Sequence, residues 1–271
     1  MVKQSDKDHF TIATTTFFRQ QTVANNKEEI NNREDLVYAV PMQKVEPFTF
    51  DAQVADVFDN MITRSVPGYP LVLDLIGVIA EQFGQAKTTC YDLGCSLGAA
   101  TLKLRQHLPA DCHVIGVDNS TAMVERCRQN VARDHSQASV EIINNDIQQV
   151  DIRDASIVVM NFTLQFIPDE ERIALLEKIA VGLRPGGVLV LSEKIHFDDD
   201  ATQDFMTELH HGFKSHQGYS DLEIAQKRAS LENVLISNTG QQHIDRMHHA
   251  GFERCQMILR CINFATFLGT K

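Results

Sequence analysis

The chain has 271 residues, 43% of them apolar, with 36 acidic against 25 basic side chains and a formal net charge of −11. At about 150 residues per domain this is one large globular domain or two small ones. No apolar run approaches the roughly 18 to 20 residues of a membrane span, no secretion signal is evident, and the acidic balance disfavours tight direct binding of RNA or DNA phosphates.

Residues 1–46 are polar, contain the pairs Asn25-Asn26 and Asn31-Asn32, and show no period of 2 or 3.6. They read as a loosely ordered extension ahead of a domain over residues 47–271. Acids at Asp6, Asp8, Glu28 and Glu29 argue against a mitochondrial signal. From Phe50, the residues Val54, Val57, Phe58, Met61 and Ile62 follow helical spacing, with Asp51 placed to cap the start. The stretch from Arg64 to Pro70 breaks that helix, and Leu71 to Phe83 predicts a second one of nearly continuous apolar character.

Short β-rich runs then alternate with helical ones. Strands are predicted at Thr88 to Leu93, His113 to Val117, Val140 to Asn144, Ile157 to Met160 and Val188 to Ser192. Helices are predicted at Ala99 to Leu108, Ala122 to Arg133 and Glu170 to Leu183. This alternation implies parallel pairing through right-handed crossovers, hence an open α/β sheet with helices on both faces. Asp204 to about Ala250 is mostly helical with a break at His216 to Tyr219, and Cys255 to Leu259 with Asn263 to Leu268 predicts a closing antiparallel pair. A helical insertion at about 200–250 would hang over the carboxyl ends of the strands, where ligands bind in such sheets.

Cys90, Cys95, Cys112, Cys127, Cys255 and Cys261 include no pair spaced for zinc or redox work, and read as reduced thiols of a cytoplasmic protein. Adjacent histidines, His210-His211 and His248-His249, point about 100° apart on a helix and cannot readily share an ion. No metal site is expected.

The sharpest feature is Tyr91-Asp92-Leu93-Gly94-Cys95-Ser96-Leu97-Gly98, at the end of the first strand and the start of a helix. Glycines there let backbone approach a ligand, and a helix N-terminus offers amides to an anion. The spacing of Gly94 and Gly98 departs from the dinucleotide pattern G-x-G-x-x-G. Asp118, at the tip of the second strand, is placed to accept from ribose hydroxyls. Asp146, past the third strand, could accept from an adenine amino group, and Asn161, past the fourth, faces the same crevice.

These residues resemble the class I S-adenosylmethionine-dependent methyltransferases, with Ser96 in place of the middle glycine common there. That resemblance implies a Rossmann-like, mostly parallel sheet with the helical insertion before the C-terminal strand pair. From Phe50 to about Leu268 the chain more closely resembles the carboxy-S-adenosylmethionine synthase family of the wobble-uridine tRNA modification pathway. The carrying segments are RSVPGYP from Arg64, YDLGCSLGAATL from Tyr91, DNS from Asp118, NFTLQF from Asn161, LSEK from Leu191, and GYS, QKR and LENV between Gly218 and Val234.

The resemblance implies that S-adenosylmethionine and prephenate give carboxy-S-adenosylmethionine and phenylpyruvate. It also implies that hydroxide expelled from prephenate serves as the base and that a sulfonium ylide captures the released carbon dioxide. It implies ligand contacts at Tyr69, Gly94, Cys95, Ser96, Asp118, Asn119, Asp146, Ile147, Asn161 and Arg228, with Arg228 also the catalytic candidate. A guanidinium repels a sulfonium but matches a carboxylate grafted on its methyl carbon. It further implies a homodimer; Phe205, Met206, Leu209 and Phe213 of the helical insertion either form its interface or cap the core. A separate tRNA carboxymethyltransferase would consume the product, with no direct tRNA binding by this chain. An ordinary methyltransferase and a non-catalytic adenosyl binder are the alternatives.

Overall fold

The computed structural model describes residues 34–271, so the predicted extension is seen from Glu34 onward. Two helices lead in, α1 (Ala52–Ser65) and α2 (Tyr69–Phe83). The Asp51 carboxylate caps α1 by accepting from the Val54 amide. Helix α2 starts two residues before the predicted Leu71, because Gly68 turns left-handed (φ 82°) and Pro70 fits the first helical turn.

Strands and helices then alternate as β1 (Thr89–Leu93), α3 (Ala99–His107), β2 (His113–Asp118), α4 (Thr121–Ala132), β3 (Ser139–Asn144), β4 (Ala155–Asn161), α5 (Asp169–Gly182) and β5 (Leu183–His196). They are followed by α6 (Asp200–His216), α7 (Asp221–Leu231), β6 (Asn238–Thr239) and α8 (Gly240–His249), and by the hairpin β7 (Arg254–Cys261) and β8 (Phe264–Thr270). The sheet order is β3-β2-β1-β4-β5-β8-β7, with β6 paired to the end of β5. Strands β1 to β5 run parallel, and β8 pairs antiparallel to both β5 and β7.

Alternation along each strand feeds two cores. Ile157 and Val159 of β4 pack with Ile76 of α2 and Leu104 of α3, while Val158 and Met160 pack with Leu176 and Ile179 of α5 and Met247 of α8. Burying both faces explains the uninterrupted apolar run of β4. Strand β5 is longer than its predicted Val188 to Ser192 core. Arg184 to Gly187 bulge out between the pairs Ala155↔Leu183 and Ile157↔Val188, and β8 carries the pairing on to Glu193↔Ala265 and Lys194↔Phe264.

The predicted helical stretch to Ala250 is divided a second time. Capping boxes start both α7 (Ser220 with Glu223) and α8 (Thr239 with Gln242). Between them β6 pairs Asn238 and Thr239 with Ile195 and His196, a strand too short to show a period. No single helix among the described residues is long and apolar enough to cross a membrane.

Residues 34–46 depart from the expected loose extension. Asp35 is 1% exposed. Its carboxylate accepts from the Tyr219 hydroxyl at 2.5 Å and lies 3.8 Å from the Lys227 ammonium, and its amide donates to Asn60 at 2.9 Å. Gln226 donates to the carbonyls of Tyr38 and Val40 and accepts from the Met42 amide. The segment lacks a period because it docks in irregular backbone, through these polar contacts and through Tyr38, Val37 and Val45, which pack with Phe48 and α1. Asp35→Ala should therefore cost about 3–5 kcal/mol, since it leaves a buried cation without its counter-ion. Deletion through Glu46 should cost at least as much; an unchanged denaturant midpoint for either variant would contradict this docking.

Candidate active site

The loop after β1 is stitched to the end of β2. The amides of Gly94 and Cys95 both donate to the Val117 carbonyl, at 2.8 and 2.9 Å. The Asp118 carboxylate accepts from the Ser96 amide on one oxygen and from the Ser120 amide on the other, both at 2.9 Å. Loop amides that the sequence suggests are open to an anion are thus partly spent inside the protein. Gly94 (φ 82°) must lack a side chain, because a Cβ there would stand 2.3 Å from Thr163 Oγ1. Ser96 (φ 48°) and Phe162 (φ 63°) hold the left-handed region without being glycine, strain of the kind that concentrates at binding sites.

Beneath the loop, Asp92 accepts from the Thr101 hydroxyl at 2.6 Å. Burial pushes its carboxyl up to about 6, with the Thr101 bonds opposing. Burial likewise raises Asp118, opposed by the Ser120 and Ser96 amides, and raises the Tyr69 hydroxyl, with Asp59 and Asp92 adding to the shift. The hydrogen bond with Cys127 and burial hold the Cys95 thiol well above its ordinary range.

These groups open on a cavity of about 260 Å³ at the carboxyl ends of the strands. One side holds the β1–α3 loop, Asp118, Asn119 and Ile147. Another is aromatic, with Phe50 set edge-on to Phe48, Phe58 and Phe166. The third is cationic and built by β5 and the insertion, with Lys194 at the end of β5, Lys214 on α6 and Lys227 on α7. Burial, then Lys227, Lys194 and Arg228, push Lys214 down to about 7; burial pushes Lys227 down to about 8 against the pull of Asp35. Lys194 is lowered by burial and by Arg228. His210 donates from Nε2 to the Ser65 carbonyl at 2.9 Å, and burial brings it down to about 3, so it is neutral.

Most of the sequence-predicted residues converge here. Tyr69, Gly94, Cys95, Ser96, Asp118, Asn119, Ile147 and Asn161 all line the cavity. Asp146 lies at the rim, exposed, and accepts from the Asn119 side chain at 2.8 Å. The Asn161 Oδ1 is buried without a donor. An orphan acceptor in a cavity suits a ligand that brings its own N–H or O–H.

Arg228 is exposed and is not among the residues that line the cavity, because neighbouring helix positions diverge by about 100° and it is Lys227 that shares the buried stripe of α7 with Glu223, Ile224 and Ser230. Its charge still reaches Lys194, His211 and Lys214.

Sequence reasoning passed over the three lysines and Glu193. Glu193 accepts from the amides of Leu164 and Gln165, both at 2.9 Å, and thereby fixes the turn behind the cavity. Burial raises its carboxyl to about 8. A signal existed for Lys214: it stands four residues after His210, on the inward stripe of an amphipathic helix.

A glycine loop, an acid at the tip of β2 and a crevice at the strand ends define a Rossmann-like enzyme that binds S-adenosylmethionine. The description "Methyltransferase domain" fits residues 90–187. Solved structures share the fold: one from Methanococcus maripaludis, described as an S-adenosyl-L-methionine-dependent methyltransferase, superposes with a TM-score of 0.55 at 21% identity, over 85% of this chain and 97% of that one. Human N-acetylserotonin methyltransferase, solved with S-adenosylmethionine, gives 0.54 at 15% identity over 90% of this chain and 64% of that one.

Sequence relatives are more specific. Carboxy-S-adenosyl-L-methionine synthase of Geobacter sp. strain M21 is 51% identical over 89% of this chain and 100% of its own length. The enzyme of that name from Vibrio atlanticus is 48% identical over 88% of this chain and 98% of its own. The chain belongs to the carboxy-S-adenosyl-L-methionine synthase family and is a transferase that uses S-adenosylmethionine.

The lysine wall sets a pH dependence. Below about pH 7 Lys214 is charged in both states, and the folded state bears the full cost of burying it. Between about 7 and its ordinary 10.5 the folded chain releases the proton while the unfolded chain keeps it, so stability rises with pH. Lys214→Met should therefore stabilise the protein, with a gain largest near pH 6.5 and shrinking by about pH 10. Urea unfolding at both values checks this; a gain that grows with pH would refute it.

Proposed function

We propose that the enzyme carboxylates the methyl carbon of S-adenosylmethionine with the carboxyl group that prephenate loses as it aromatises. Asp118 and the Gly94-Cys95-Ser96 loop hold the ribose and the amino-acid portion, Asp146, Asn119 and Ile147 the adenine, and Tyr69 and Asn161 the end of the ligand nearest the sulfonium. Prephenate breaks into phenylpyruvate, carbon dioxide and hydroxide. The hydroxide takes a proton from the S-methyl group to give water, and the resulting ylide carbon bonds to carbon dioxide.

The observation that carries this reading is the division of the cavity. An adenosyl-binding side ends at the orphan acceptor of Asn161, and past it stands a cationic wall. A pocket that only passed on a methyl group would set a sulfonium against that positive charge with nothing anionic between them. Arg228 adds its charge from the rim.

Supporting the wider setting, the net charge of −11 suits an enzyme that leaves tRNA to a separate carboxymethyltransferase. The six free thiols suit a reducing cytoplasm. Phe205 and Leu209, 61% and 47% exposed on α6, offer an apolar face for a homodimer.

Incubation with S-adenosylmethionine, with and without prephenate, should yield a carboxylated nucleoside by mass spectrometry only when prephenate is present. Product formed without it, or a methylated acceptor instead, would overturn the reading. Asp118→Ala should weaken S-adenosylmethionine about 10- to 100-fold by calorimetry while keeping its circular dichroism spectrum, as a lost charged hydrogen bond requires.

A further inference from the structure

Three ammonium groups face one cavity, and the described residues balance only one of them. Lys227 donates to Ser65 Oγ at 3.0 Å and stands 3.8 Å from Asp35. Lys214, 7% exposed, and Lys194, half-buried, have neither a hydrogen-bond acceptor nor a carboxylate partner for their ammonium groups among the described residues. Buried charge of this kind is held only where something compensates it. S-adenosylmethionine cannot do so, since its sulfonium and ammonium outweigh its single carboxylate. Among the described residues nothing else supplies the balancing charge, and the other ligand is an anion that can.

We infer that Lys214 and Lys194 form the subsite for a carboxylate of the second substrate, one that this substrate keeps through the reaction. The inference rests on the proposed use of an anionic carboxyl donor beside the sulfonium. A carboxylate ion-paired with an ammonium is stabilised as the anion, which opposes loss of carbon dioxide from that group. The lysines therefore suit the retained carboxylate of a dicarboxylic donor, while the departing one lies on the side away from them. With the two ends so distinguished, the donor enters in one orientation, with its breaking C–C bond aimed at the methyl carbon.

The distinguishing measurement is the split between the two ligands in the full-length enzyme. Lys214→Met and Lys194→Met should each raise KM for prephenate about 10- to 100-fold, the loss of a charge-assisted hydrogen bond, and leave the Kd for S-adenosylmethionine within about two-fold. Lys214→Arg should recover most of the loss. An unchanged KM, or a Kd for S-adenosylmethionine that rises in step, overturns the subsite.

A second titration separates this from failure of the proposed reaction. With wild-type enzyme saturated with S-adenosylhomocysteine, malonate should bind at least about ten times more tightly than to the Lys214→Met variant. Such a difference supports the anion subsite even if prephenate proves not to be the carboxyl donor, and equal or absent malonate binding overturns it even if prephenate is turned over.

Discussion

The site depends on one acceptor, the carbonyl of Val117. By taking the amides of both Gly94 and Cys95 it pulls the β1–α3 loop across the end of β2 and delivers the Ser96 amide to Asp118. This geometry requires the left-handed turn at Gly94, and the absent Cβ there lets Thr163, from the loop after β4, close against it. Three strand ends are thus locked together by contacts within the protein itself.

Around that shared nucleotide-binding part, the chain adds what is particular to it from two distant segments. The methyltransferase match spans residues 90–187, and all three cavity lysines follow it. The residues before it supply Phe48 and Phe50 for the apolar wall and Asp35 as counter-ion to Lys227. The end of β5 and the insertion bring the positive charge, and the lead-in segment ties one part of it to structure. Ser65 accepts from the Lys227 ammonium, Asp35 is its counter-ion, and the Tyr219 hydroxyl donates to Asp35.

Much of the architecture was legible because it rests on period and punctuation. Buried parallel strands announce themselves as apolar runs, and Gly94, Asp118, Asp146 and Asn161 mark successive strand ends. Other features depend on contacts that sequence order does not bring together. Asp35 docks on residues of α1 and α7, β6 is too short to carry a pattern, and Lys227 rather than Arg228 faces inward only because of where α7 is rotated. The twin cations in QKR are indistinguishable until a helix phase is assigned. That phase was readable in principle from Ile224 and Leu231, which share a face with Lys227.

Glu193 and Lys194 are neighbours on β5, so their side chains leave on opposite faces of the sheet. The carboxylate goes under the turn at Leu164 and Gln165, and the ammonium goes to the cavity. The assignment is held from both sides of β5, by the pairing of Asn161 with Ser192 on β4 and of Glu193 with Ala265 and Lys194 with Phe264 on β8. A slip of β5 by one residue would exchange them, setting a carboxylate beside Lys214 and Lys227 and leaving two amides to face a lysine. The electrical character of the cavity is therefore written partly in the register of a single strand, which its neighbours on both sides keep in phase.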